Sequence, residues 1–275
     1  MNTDFAYDPA AVLEEADASG PVAATFAEIR RVMGIPLVTS IWRALAGMGD
    51  ALDRTWIASR GIYESGEPER ALQRVIETAP ALRVSRLTNA QLSAIDMGEV
   101  DLVAARSVIA AYNRSNGMNL VALAALVNEP VAGTLTGAWQ PGPEWPTLPV
   151  LMRRAEIPDT AWRIVQEVNR FGAPNPAASV ATLWRHLAHW PALLALASVA
   201  FDPLQTGGAI DDATARIVRL AASEGARMAS LRRNDVVLDP QVLAVLGGYV
   251  GSPGQVARMV TMGHALAVWI DSIAD

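Results

Sequence analysis

Histidine is scarce in this chain, and two of its three copies stand three residues apart, as His186 and His189. On a helix that spacing puts both imidazoles on one face, where they could share a metal ion or where one could move a proton as acid or base. No HExxH pattern and no third spaced ligand accompanies them, so no metal is expected, and partly buried packing is the competing reading. A second polar group, Asn113, Asn116 and Asn119, offers amides that can orient a water or bind an oxyanion. Asn-rich turns that only cap helices have the same composition.

What is missing narrows the chemistry further. The chain has no cysteine, which excludes disulfides, thiolate nucleophiles and cysteine-bound zinc. It has no lysine either; all 22 basic residues are Arg, so Schiff bases and a Walker lysine are excluded. Arg in place of Lys, with abundant Ala, fits a GC-rich bacterial genome. There is no GxGxxG, GxSxG, P-loop or EF-hand pattern, and no cofactor is expected. A formal net charge of −6 argues against nucleic acid or an anionic membrane as partner. No apolar run approaches the roughly 18 to 20 residues that span a bilayer. The opening Met1-Asn2-Thr3-Asp4 lacks the basic-then-apolar signal pattern, and the chain reads as cytoplasmic.

The elements that must position these residues are helices. In 275 residues, 51% apolar and 18% charged, strand-like alternation is nearly absent. Phe26, Ile29 and Met33 make one stripe, and Ile41, Leu45, Met48, Leu52 and Trp56 make a longer one at helical spacing. Further helices are expected near 67–79, 88–97, 99–113, 117–128, 158–171, 179–201, 210–225, 239–250 and 253–273. Thr88 or Asn89 can cap the second of these, and Pro80 and Gly117 separate neighbours. Residues 129–150 hold five prolines, which lack an amide donor and clash with a preceding helical turn, so this stretch reads as a linker. Residues 1–20 are polar and loosely patterned, an arm packing on the body.

The segments on either side of the linker, 21–128 and 151–275, correspond to one another. SIWRALAGMGDAL (Ser40–Leu52) aligns with TLWRHLAHWPALL (Thr182–Leu194) at a shift of 142; Glu28-Ile29 aligns with Glu167-Val168; Tyr112 and Gly117 align with Tyr249 and Gly254. The expected fold is all-α, a tandem repeat of two similar helical halves packed as a pseudo-dimer with a pocket at the seam. Residues present in both halves then read as scaffold. Trp42 and Trp184 are expected in cores, and Arg43 and Arg185 are expected to anchor a carboxylate or a helix end; their functional alternative is a paired cationic clamp for a substrate carboxylate. Glu28 and Glu167 read as solvated or Arg-paired. Residues where the halves differ are free to serve a site: His186 and His189 face Ala44 and Gly47, and Asn113, Asn116 and Asn119 face Val250, Pro253 and Val256.

Three stretches, AxFAEIRRVMGIPxV over 24–38, AYNRSNGMNLVALAAL over Ala111–Leu126 and LAHWPALL over Leu187–Leu194, resemble the group I (DehI-type) 2-haloacid dehalogenases, and the resemblance runs in order from about Thr25 to Trp269. It implies an all-α pseudo-dimer with an apolar pocket between its repeats. In that family an Asp, helped by an Asn, activates water that attacks the substrate α-carbon directly, without a cofactor. The resemblance puts Asn116 at the family's Asn. It puts Thr182-Leu183 at the family's Ser-Asp pair, and a leucine cannot take a proton. The aromatic positions after the first-half proline become Leu37 and Ser40, and the Tyr three residues after the Asn becomes Asn119.

The expected function is a cofactor-independent enzyme acting on a small to medium apolar organic substrate at the seam. Asn116, His186 and His189 are the catalytic candidates, and Leu37, Ser40, Asn119, Thr182 and Leu183 the substrate-binding ones. Hydrolytic halide displacement is the leading reaction. A cyclase, dehydratase or isomerase of secondary metabolism, or a non-catalytic small-molecule-binding protein, are the alternatives. The expected partner is a small molecule, and a homodimer is left open.

Overall fold

Apolar stripes at helical spacing become helices along the whole chain. The computed structural model describes residues 12–79, 82–173, 179–251 and 255–273. Among them no strand occurs, and twelve α-helices follow: α1 (Gly20–Met33), α2 (Ser40–Leu45), α3 (Ala51–Glu64), α4 (Glu67–Thr78), α5 (Asn89–Ala94), α6 (Glu99–Val127), α7 (Asp159–Gly172), α8 (Thr182–His186), α9 (Pro191–Thr206), α10 (Ala209–Met228), α11 (Pro240–Gly251) and α12 (Val256–Asp271). No single helix among them is long and apolar enough to cross a membrane. The fold class is therefore all-α, as the sequence predicts. Pro80, Pro253 and Gly254, used above as breaks or matches, lie outside the described residues.

Three local expectations are corrected. The break at Gly117 is absent, and α6 runs unbroken for 29 residues. A Cβ at Gly117 would come within 2.5 Å of the Leu72 side chain on α4, so this glycine permits close helix packing rather than ending a helix. The helix expected over 179–201 is divided into α8, a 3-10 turn at Leu187–His189, and α9. Pro191 has no amide to continue the first helix and suits the first turn of the next. The stripe from Ile41 to Trp56 is split between α2 and α3 by a turn at 46–50. At α5, Thr88 is the cap, in a capping box with Gln91.

Two apolar cores form, and each draws on residues from both sides of the linker. The first joins Phe26, Trp42, Trp56 and Tyr63 to the C-terminal part of α6 and to residues of α10, α11 and α12. The second joins Phe171, Trp184, Phe201 and Trp269 to the N-terminal part of α6. Helix α6 is thus the shared spine, feeding one core with Leu102–Tyr112 and the other with Met118–Leu126. Fully burying each large side chain contributes roughly 1.5–3 kcal/mol, so these aromatics set the helix positions.

Residues 129–153 carry no helix and form a strap across the first helices. Side chains fix it where a backbone ladder is lacking: the Trp139 indole donates to the Val32 carbonyl at 2.8 Å, and the Trp145 indole to the Gly34 carbonyl at 3.0 Å. Gly34 has φ of 60°, and a Cβ there would lie 2.3 Å from the Gly142 Cα, so both positions must be glycine for the strap to lie this close.

Candidate functional site

Helix α2, helix α8, the middle of α6 and the strap meet around Tyr112. Two spaces open there, and Tyr112 walls both. The first, at the seam, measures about 30 Å³ and is bounded by Ser40, Asn116, Thr182 and Leu183 along with Gln255 and Met259. A water needs roughly 10–15 Å³ of such volume, so this void has room for about two waters and for no organic substrate. The second is a chamber of about 780 Å³ under the strap, lined by Leu37, Arg43, Trp145, Pro149 and His186, with Glu14 at its edge. That volume is typical of small-molecule sites.

The expected site residues are therefore sorted by position. Ser40, Asn116, Thr182 and Leu183 gather at the void, while Leu37 and His186 face the chamber. Asn119 borders neither. Fully buried, it accepts hydrogen bonds from the Tyr63 hydroxyl at 2.8 Å and the Trp42 indole at 3.2 Å, and its amide donates to Thr39 Oγ1 at 2.7 Å. Asn113 likewise points elsewhere, donating to the Gly263 carbonyl at 3.0 Å. His189 is exposed and outside both spaces.

The two histidines are held by the strap. His186 Nε2 lies 2.8 Å from the Pro149 carbonyl and His189 Nε2 lies 2.8 Å from the Val150 carbonyl. A carbonyl only accepts, so each Nε2 carries its proton, and His186 presents a bare Nδ1 lone pair. That Nδ1 lies 3.4 Å from the Tyr112 hydroxyl. Burial holds the His186 pKa down to about 4 against the opposing effect of the Pro149 hydrogen bond, with the charges of His189 and Arg185 adding to the depression. The imidazole is neutral near pH 7. Burial also pushes the Tyr112 phenol well above its ordinary range, and the nearby Arg43 and Arg185 only partly oppose that rise. The pair is a neutral hydroxyl donor facing a neutral nitrogen acceptor.

The two Trp-Arg helices complete the surroundings. Trp42 and Trp184 are both fully buried. Their neighbours Arg43 and Arg185, 1% and 4% exposed, converge on one carboxylate: Glu14 Oε2 lies 2.8 Å from Arg43 Nη1 and Glu14 Oε1 2.7 Å from Arg185 Nη2. Arg43 also donates to Thr182 Oγ1 at 3.4 Å, tying α2 to α8. Glu28 is Arg-paired, 2.7 Å from Arg60, and Glu167 is paired with Arg170 at 2.9 Å. Sequence reasoning undervalued two groups here. Tyr112 matched Tyr249 and so read as scaffold, and Glu14 sits in an arm whose pattern carries no period.

No family model matches the chain, and no curated protein is found similar to it in sequence. Solved structures are similar in fold. A D-2-haloacid dehalogenase in complex with L-LA superposes with a TM-score of 0.76 at 14% identity, covering 93% of this chain and 95% of that one. A D-2-haloacid dehalogenase mutant gives 0.73 at 15% identity, covering 92% and 94%. A D-2-haloacid dehalogenase mutant with D-2-CPA gives 0.71 at 14% identity, with the same coverage. Over nearly its whole length, then, this chain has the all-α fold of the D-2-haloacid dehalogenases.

Proposed function

We propose that the chain is a cofactor-independent, cytoplasmic enzyme that displaces halide from a small organic halide by water, with the organic group in the chamber under the strap and water in the seam void. The observation that carries this reading is the His186–Tyr112 pair standing between the two spaces, with its acceptor nitrogen fixed toward the hydroxyl. The position matched to the family's catalytic Asp is Leu183, which is inert. An imidazole with a pKa of about 4 has nearly the proton affinity of an ordinary Asp, about 3.9, so His186 supplies a comparable acceptor without a buried charge. In the step, the water oxygen forms a bond to the carbon bearing the halogen, the carbon–halogen bond breaks, and halide leaves. The water proton passes to the Tyr112 oxygen as the Tyr112 proton moves to His186 Nδ1. Asn116 beside the void orients the water through its amide.

Chloride or bromide release from 2-chloropropionate and 2-bromopropionate by purified, folded protein is the test. Release above the buffer rate that falls about 100-fold or more in His186→Gln and Tyr112→Phe supports the reading. Release untouched by both substitutions removes the pair from the mechanism. A second reading, a non-catalytic binder of small molecules, is favoured by Leu183 and by the small volume of the seam void. It predicts saturable binding in the chamber with the bound compound recovered unchanged. A lyase or isomerase reaction would use the same His186–Tyr112 pair on a substrate without a leaving halide.

A further inference from the structure

The pairing of Arg43 and Arg185 has a use beyond scaffold. Two guanidiniums, each more than nine-tenths buried, share one carboxylate, so the group keeps an excess positive charge away from bulk water. Its donors are also underused. Neither Arg43 Nε nor Arg185 Nε finds an acceptor among the described residues, and Arg185 Nη2 lies close to Glu14 without hydrogen-bond alignment. Buried cationic donors in this state favour an anion that can meet them in the plane of the fork. The present occupant is not itself buried to the same depth. The Glu14 side chain is 21% exposed and borders the chamber, as Arg43 does.

The chain around Glu14 is tied independently of it. Glu15 pairs with Arg30 and accepts the Val38 amide at 2.7 Å, and Asp17 pairs with Arg153 at 2.7 Å. Turning the Glu14 side chain away therefore leaves its backbone anchored, and the exchange needs a rotamer change rather than release of the segment.

We propose that Arg43 and Arg185 form a receptor for small organic monocarboxylates, and that Glu14 is its built-in competitor, displaced when a carboxylate enters from the chamber. The external carboxylate takes the place of the Glu14 oxygens and adds contacts to the underused Nε donors, while Glu14 turns to solvent. This names the substrate class for the chamber and rests on the chamber being the binding space, not on any reaction in it. Affinity is set by competition: the intramolecular carboxylate lowers the fraction of receptor open to a ligand, so neutralising it raises apparent affinity.

The experiment uses the full chain, as wild type and as Glu14→Gln, at fixed ionic strength. Acetate and 2-chloropropionate are titrated by calorimetry and by the rise in Tm, with uncharged propionamide as control. Glu14→Gln is expected to bind both carboxylates about tenfold tighter than wild type, with no response to propionamide. Equal affinities in the two proteins, no carboxylate binding in either, or propionamide binding as well as acetate would overturn the proposal. If Glu14→Gln does not fold, the wild type decides alone through hydrogen exchange. Saturating 2-chloropropionate is expected to speed exchange of the amides over 12–17, and unchanged exchange in protein that binds the compound overturns displacement. Halide release is scored separately. Charge-selective binding without release sinks only the proposed reaction, and release without charge-selective binding sinks only the receptor.

Discussion

Helices α2 and α8 carry the same Trp-Arg pair and meet the same carboxylate, yet they are supported differently. The indole N–H of Trp42 is accepted by Asn119, which also receives the Tyr63 hydroxyl and is itself tied to Thr39. The indole N–H of Trp184 has no acceptor among the described residues and is walled by Gly172 and Met259. Position 119 corresponds to Val256 in the sequence alignment of the two segments. One Trp is thus held by shape and a polar network, the other by shape alone. Helix α8 in exchange carries His186, where α2 has Ala44. Packing residues agree between the two helices, and polar residues do not, which separates what holds the fold from what is free to act.

The largest effect expected tests the common part. Trp42→Ala and Trp184→Ala should each cost roughly 3–5 kcal/mol in urea unfolding, because each empties a fully buried indole site. A small loss at either position would end the equivalence. The next tests the titrating difference. The native state holds His186 at about 4 while the unfolded chain takes up its proton near 6.5, so stability should fall as pH drops through that window. His264, also held at about 4 by burial, adds to the same fall. His186→Gln should lose up to about 3 kcal/mol less than wild type between pH 6.5 and 4, and identical slopes would place the acid sensitivity elsewhere. The smallest effect tests the polar support. Trp42→Phe should cost about 1 kcal/mol more than Trp184→Phe, since only the first breaks a buried hydrogen bond. The reverse order in the same unfolding assay would remove Asn119 as the distinguishing support.

Much of the fold was legible because burial at helical spacing leaves a period in the sequence. The stripes through Phe26, Ile29 and Met33 and the proline run of the strap are local signals with local causes. Gly117 misled for a physical reason: a glycine that ends a helix and a glycine that admits Leu72 look the same in one dimension. The site was legible only in part. Comparing the two segments brought forward Ser40, Asn116, Thr182, Leu183 and His186, all of which reach one of the two spaces. The same comparison brought forward Asn119, whose three bonds lie within the first core, and it passed over Tyr112, which has a counterpart in Tyr249. Glu14 left no trace because its meaning comes from two arginines 29 and 171 residues away, brought together only by folding.

The strap has a consequence for how such a protein changes over generations. The chamber's outer wall is the run from Trp145 to Arg153, clamped at one end by the Gly34–Gly142 approach and at the other by the two histidine bonds to Pro149 and Val150. Residues inserted or lost between those clamps would resize the room while the twelve helices keep their contacts. Selectivity and proton handling are thereby carried by separate parts of the chain, and a lineage can retune the first by editing a short span without disturbing the second.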